Sequence, residues 1–152
     1  MKNNKYYRVY AEINLDAIVK NVDNLMALTK ENTGALAVVK ADGYGHGDVA
    51  VAKAVAQKVT GYAVATLDEA VNLRENGVKK PILVLGYVDP YEFDILVSHE
   101  ITATVFDVET AQLLADAARV QKKQAHCHIK VDTGMRRIGL EPDENGIAIV
   151  KQ

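Results

Sequence analysis

Apolar and polar positions along the chain alternate between two rhythms: short apolar runs, and longer stretches with apolar residues three or four apart. Tyr6 to Asn14 (YYRVYAEIN) alternates as a two-faced strand, and Asp16 then opens a helix to about Leu28, with Ile18, Val22, Leu25, Met26 and Leu28 at helical spacing. That helix stops at Asn32-Thr33-Gly34, and Ala35 to Val39 is continuously apolar, as a strand covered on both faces should be. The same unit then recurs in type. Asp48 opens a helix to about Val59, Gly61 starts the next strand, and Thr66 with Glu69 forms a capping box for a helix ending at Asn76-Gly77. Pro81 leads another strand, Asp89-Pro90 opens a helix, and Ile101 to Val105 is again apolar. Asp107 starts a helix to about Arg119, and Ala125 to Asp132 is the last strand.

Strands alternating with helices at roughly 20 to 26 residues per unit predict crossover connections and a parallel sheet. Two architectures fit that pattern. A five-stranded doubly wound, flavodoxin-like domain suits the length, whereas a complete (β/α)8 barrel of TIM type needs about 250 residues and would be only part-built in 152. Length and pattern alone favour the doubly wound domain.

Composition narrows the function classes. With 49% hydrophobic and 25% charged residues, three prolines and no short-period repeat, the chain has the makings of a packed core and none of a disordered or fibrous protein. A net charge of −2 gives no global attraction to nucleic acid or to an acidic membrane, so a small-molecule ligand is the default. Cys127, the single cysteine, cannot form an internal disulfide, which fits a reducing cytoplasmic setting. Met1 to Tyr10 lacks an apolar signal segment, and the run Pro81 to Val88 is far shorter than the ~20 residues of a membrane span.

The chemistry concentrates in two places. In Ala37 to Gly47 (AVVKADGYGHG) a lysine, Lys40, ends an apolar strand and a glycine-rich loop follows, at the strand edge where parallel α/β folds keep their sites. A lysine there forms imines well when desolvation favours its neutral amine, and Tyr44 adds a hydroxyl on a rigid ring. The plain alternative is a solvated lysine and glycines that only turn the chain; the spacing is in any case not that of a P-loop. The second place is Lys130 to Gly139 (KVDTGMRRIG). Period-two alternation puts His126, His128, Lys130 and Asp132 on one face of the last strand, and Cys127, Ile129 and Val131 on the other, an apolar face toward helices.

Both stretches resemble the alanine racemase family: AVVKADGYGHG is similar to its pyridoxal-phosphate lysine motif, and KVDTGMRRIG to its second motif at the expected distance downstream. The resemblance reverses the fold preference, and implies the N-terminal part of a TIM-type barrel over residues 15–152. Residues 1–14 would then form a strand that pairs with a C-terminal β-domain beyond this chain. It implies that Lys40 is the Schiff-base lysine and one of two catalytic bases, that Tyr44 hydrogen-bonds the cofactor phosphate, and that Arg137 reaches the ring's phenolic oxygen. Lys130 matches a lysine carbamylated in some members, where it orients that arginine; a buried Lys130 beside Arg137 would otherwise set two like charges together. Arg136 falls at a variable position and carries no implied role.

The implied activity is a cytoplasmic, homodimeric isomerase that interconverts L-alanine and D-alanine for the cell wall, present here as an N-terminal portion without the second base. Serine racemisation, or a non-catalytic α/β ligand-binding domain, are the alternatives. No metal is implied, since His126 and His128 lack further donors at ligand spacing. Cys127 reads as packing, and His46 as either near the cofactor or solvated. Tyr6, Tyr7 and Tyr10 read as an interface patch or ordinary core contacts. Two unpaired sheet edges, at Ala35 to Val39 and Ala125 to Asp132, should favour association or a packing that covers them.

Overall fold

A computed structural model describes residues 9–152. The elements run α1 (Leu15–Met26), β1 (Leu36–Val38), α2 (Lys40–Gly45), α3 (Asp48–Ala54), β2 (Gly61–Val64), α4 (Leu67–Glu75), β3 (Ile82–Val84), a 3-10 turn (Pro90–Glu92), α5 (Phe93–Ser98), β4 (Thr102–Val105), α6 (Val108–Val120), β5 (His126–Ile129) and α7 (Glu144–Val150). Side chains cap most of the helix starts. Asn14, Thr66, Asp107 and Asp143 each accept a backbone N–H from the first turn that follows, and Thr66 and Glu69 complete the capping box.

All five strands pair in parallel, in the order β1-β2-β3-β4-β5. That order settles the architecture. A doubly wound sheet reverses direction at a switch point, whereas strands laid down in chain order by right-handed crossovers keep every helix on one side and curl as the arc of a barrel. Tyr62 marks the helix side, since its hydroxyl donates to the Ala52 carbonyl of α3 at 2.6 Å. Residues two apart from it share that face, so Val64 looks at the helices while Ala63 looks into the arc.

The core lies between β2, β3 and β4 and their helices, where Tyr62, Leu73, Ile82, Leu96 and Ile101 are the largest fully buried side chains. Arg74 ties its lower rim. From α4 the guanidinium donates to the carbonyls of Val78 (2.8 Å), Lys80 (2.8 Å), His99 (2.9 Å) and Glu100 (3.0 Å), closing the loops ahead of β3 and β4. Burial pulls its pKa down, and the Glu100 carboxylate opposes that shift.

Three expectations need correction. Residues 9–14 carry no strand, and Val9 and Tyr10 are 86% and 76% exposed; without a neighbouring strand the segment has no ladder to join. The rest of the predicted N-terminal strand, with Tyr6 and Tyr7, lies outside the described residues. β1 is not covered on both faces, because Leu36 and Val38 are 42% and 43% exposed at the open edge of the sheet. The sequence reading also passed over α7, whose start Asp143 caps by accepting from the Gly146 N–H at 2.8 Å.

Candidate active site

Lys40 emerges where β1 ends. Val39 is buried and donates its N–H to the Ala63 carbonyl at 2.9 Å, which prolongs the β1–β2 ladder to the residue before the lysine. The chain then winds the wrong way. Ala41, Asp42, Gly43 and Tyr44 have φ of 51°, 54°, 59° and 55°, making α2 a left-handed turn, and the Gly43 N–H closes it on the Val39 carbonyl at 2.9 Å. L-residues visit that region singly as a rule, because Cβ crowds the following carbonyl by roughly 1–2 kcal/mol each. Gly43 is needed on a second ground: it is buried, and a Cβ there would stand 3.2 Å from the Asp48 amide.

The turn brings Tyr44 back beside the lysine, with the Lys40 Nζ 6.0 Å from the centre of the ring. Tyr44 is 61% exposed and Lys40 half-buried, so amine and phenol open toward the same rim. His46 is exposed, its Nδ1 3.2 Å from the Tyr44 carbonyl. The turn is anchored from β2's side. Glu69 of α4 accepts the Ala41 N–H on Oε1 at 2.7 Å, and the Ala65 and Thr66 N–H groups on Oε2 at 2.7 and 3.3 Å. Sequence reasoning saw Glu69 only as half of a capping box, since no local pattern links positions 28 residues apart.

Lys130 and Arg137 sit at the far edge of the sheet. Lys130 continues β5, its N–H donating to the Val105 carbonyl at 2.8 Å, and a one-rung bridge pairs Val131 with Leu140. Asp132 shapes the loop between. Its Oδ1 accepts the Gly134 N–H at 2.9 Å and the Arg136 N–H at 3.0 Å, and the hydrogen bonds from Arg136 and Gly134, helped by the nearby Lys130 charge, hold its carboxyl below the usual carboxylate range. Gly139, at φ 132°, passes so close that a Cβ would meet the Asp132 amide at 2.6 Å. Arg137 is exposed and Lys130 half-buried in this chain.

The register of β5 on β4 follows the expected alternation, His126 and His128 pairing with Thr102 and Thr104, and Cys127 and Ile129 with Ala103 and Val105; Cys127 and Ile129 line a cleft of about 280 Å³ beside Ile149 and Val150 of α7. His126 and His128 line one of about 370 Å³ with Arg74, Lys79 and Glu100, at the opposite end of the strands from Lys40, and Cys127 borders that cleft too. Among the described residues no cluster of three or more metal-ligating side chains forms, and no helix is long and apolar enough to cross a membrane.

The family described as alanine racemase, N-terminal domain, matches residues 13–152. The alanine racemase of Desulforamulus reducens is 45% identical over 141 residues, which are 92% of this chain and 38% of that protein. Among solved structures, the alanine racemase of Clostridium difficile 630 superposes with a TM-score of 0.92 at 40% identity, over 96% of this chain and 38% of that one. A histidine racemase from Leuconostoc mesenteroides gives 0.81 at 29% identity, over 90% and 37%. The chain thus spans about two fifths of the length of the relatives it matches. With its sequential parallel arc and a lysine at the first strand's carboxyl end, the chain belongs to the alanine racemase family, and residues 13–152 match that family's N-terminal domain.

Proposed function

We propose that this chain carries the lysine-bearing part of a pyridoxal-phosphate site for racemising an amino acid, with alanine as the substrate. The observation that carries the reading is Lys40: a half-buried amine at the carboxyl end of a parallel strand, on a turn held in a costly conformation, with a tyrosine beside it. The donor set suits the cofactor. An amine for the aldehyde, a neutral hydroxyl for the phosphate and a guanidinium for the phenolic oxygen come from Lys40, Tyr44 and Arg137. None of the three is engaged in the ion pairs among the described residues, which join Lys58 to Asp23 and Arg119 to Asp116.

When bound, pyridoxal phosphate supplies an electron sink that makes the Cα–H of an attached amino acid acidic. Everything else falls to the protein. Lys40 holds the cofactor through its amine and, once that amine is free and neutral, takes the Cα proton from one face of the substrate and returns it. Tyr44 would hold the cofactor's phosphate and Arg137 its phenolic oxygen, limiting its freedom to move beside the base. Lys130, as a carbamate, would accept from Arg137 and hold its orientation; in its free form it would only add positive charge to the rim. Racemisation also requires a base on the second face, and no residue of this chain is assigned to it.

The reading includes a cytoplasmic homodimer whose D-alanine serves the cell wall. Its support is the racemase kinship of the whole arc. That the same arc superposes on a histidine racemase favours a second reading of the substrate, in which side-chain preference, alanine, serine or larger, is set outside this domain.

The test is covalent capture. The chain is mixed with pyridoxal phosphate, reduced with borohydride and digested, and the modified lysines are located by mass spectrometry. One dominant label at Lys40, absent from Lys40→Ala, is expected. Labelling spread over surface lysines, with total uptake unchanged in Lys40→Ala, would overturn the proposal.

A further inference from the structure

We infer that Glu69 is a positioning residue for Lys40: its carboxylate pins the peptide that follows the lysine, and thereby sets where the amine projects. The inference rests on the reading of Lys40 as the cofactor lysine. An ordinary capping box uses its glutamate for the N-cap amide alone. Here the bond to that amide, Thr66 N–H, is the weak one at 3.3 Å, and the reciprocal Thr66 Oγ1 contact is 3.4 Å. The two short bonds, both 2.7 Å, go to Ala65 on the β2 side and to Ala41 on the β1 side. One oxygen serves each side, so a single half-buried carboxylate ties together the carboxyl ends of two neighbouring strands.

The tie falls where control is needed. Ala41 is the first residue of the left-handed turn, and the run that follows is one that L-residues leave readily for right-handed or extended backbone. A fixed Ala41 N–H sets the start of the turn, and with it the placement of the Lys40 stem and the Tyr44 ring. Two acceptor oxygens are required. Glutamine keeps the length but turns one of them into an NH2, which cannot receive a backbone N–H, and aspartate falls one methylene short.

The experiment compares wild type, Glu69→Gln and Thr66→Ala as the same chain, by two measurements: reductive capture of limiting pyridoxal phosphate at Lys40, and hydrogen exchange of the Ala41 amide. Thr66→Ala removes the capping hydroxyl but leaves the carboxylate, so it reports what a mere helix cap contributes. Expected for Glu69→Gln are a loss of capture and a gain in Ala41 exchange of about tenfold each, the scale of one charge-assisted hydrogen bond. Thr66→Ala should lower the Tm yet leave both readouts within about twofold. Capture at Lys40 that is indifferent to Glu69→Gln, or that Thr66→Ala reduces equally, would overturn this inference alone. A wild-type chain that shows no capture at Lys40 would overturn the functional reading itself, and the inference with it.

Discussion

The inner and outer strands of the sheet are built from the same repeating unit and end in different environments. Every residue of β2 and β3 is buried, as are three of the four in β4, whereas β1 alternates between exposed and half-buried and all of β5 is exposed. The one buried polar side chain among the described core residues, Thr104, is satisfied by donating to the Val84 carbonyl at 2.6 Å. Lys40 and Lys130 lie at the margins instead, prolonging β1 and β5. Burial is thus graded sideways across the sheet of this chain, which spans about two fifths of the length of its relatives. A dry centre holds the frame, while β1 and β5 each have a neighbouring strand on one side only.

That contrast can be broken most sharply by cavity mutants. Leu96→Ala, at a fully buried site, should cost about 3 kcal/mol in denaturant unfolding, and Leu36→Ala, 42% exposed on β1, about 1 kcal/mol or less. Equal losses would mean that β1 is covered in solution, which light scattering would then show as an oligomer. Next in size is Arg74→Ala, which strands four carbonyls and should cost about 2 kcal/mol, with Arg74→Lys recovering little because an ammonium lacks the guanidinium's fork. Arg137→Ala at the edge should stay within about 0.5 kcal/mol in the same unfolding assay.

Glycine substitutions sharpen the comparison further. Ala63→Gly in β2 should destabilise by about 1 kcal/mol, as strand glycines do. Ala41→Gly relieves a positive φ and should be neutral or stabilising by up to about 1 kcal/mol, part of the gain being offset by a freer unfolded chain. A matching loss at both positions would argue against the left-handed turn. The smallest effect concerns pH. Asp132 titrates lower when folded, so its contribution is full above the ordinary carboxylate range and fades as the pH falls through the depressed value. Amide shifts of Gly134 and Arg136 should follow that titration while those of β3 stay still; movement of both together would indicate global acid unfolding instead.

Most of the framework was legible because it depends on local rules. The starts of α4 and α6 follow from the Thr66–Glu69 box and from Asp107, α1 begins one residue before the expected Asp16, behind the Asn14 cap, and the central strands announce themselves as apolar runs. The barrel arc was not legible from pattern, because flavodoxin-like and sequential orders share the same alternation and differ only in which strands become neighbours; the two motifs decided it. At the site, Lys40 and Tyr44 were visible as residue types in a motif, and the structure brings them together. Glu69 and Arg74 were hidden since each acts on backbone distant in sequence, and the carbonyls and amides they hold leave no trace in side-chain identity. The left-handed turn was hidden too, for only one of the four residues from Ala41 to Tyr44 is a glycine.

The order of the strands has a consequence in time. Because β2 pairs with β1, β3 with β2, and so on to β5, every rung of the sheet joins segments that are adjacent in synthesis. Among the described residues each strand finds its neighbour in the adjacent unit, so loop closure within this sheet stays short and each new unit can dock on the one already laid down. Within this sheet Lys40 belongs to the edge made first and Lys130 to the edge made last. The turn behind Lys40 acquires its Glu69 anchor as soon as the second unit arrives, well before the opposite rim exists.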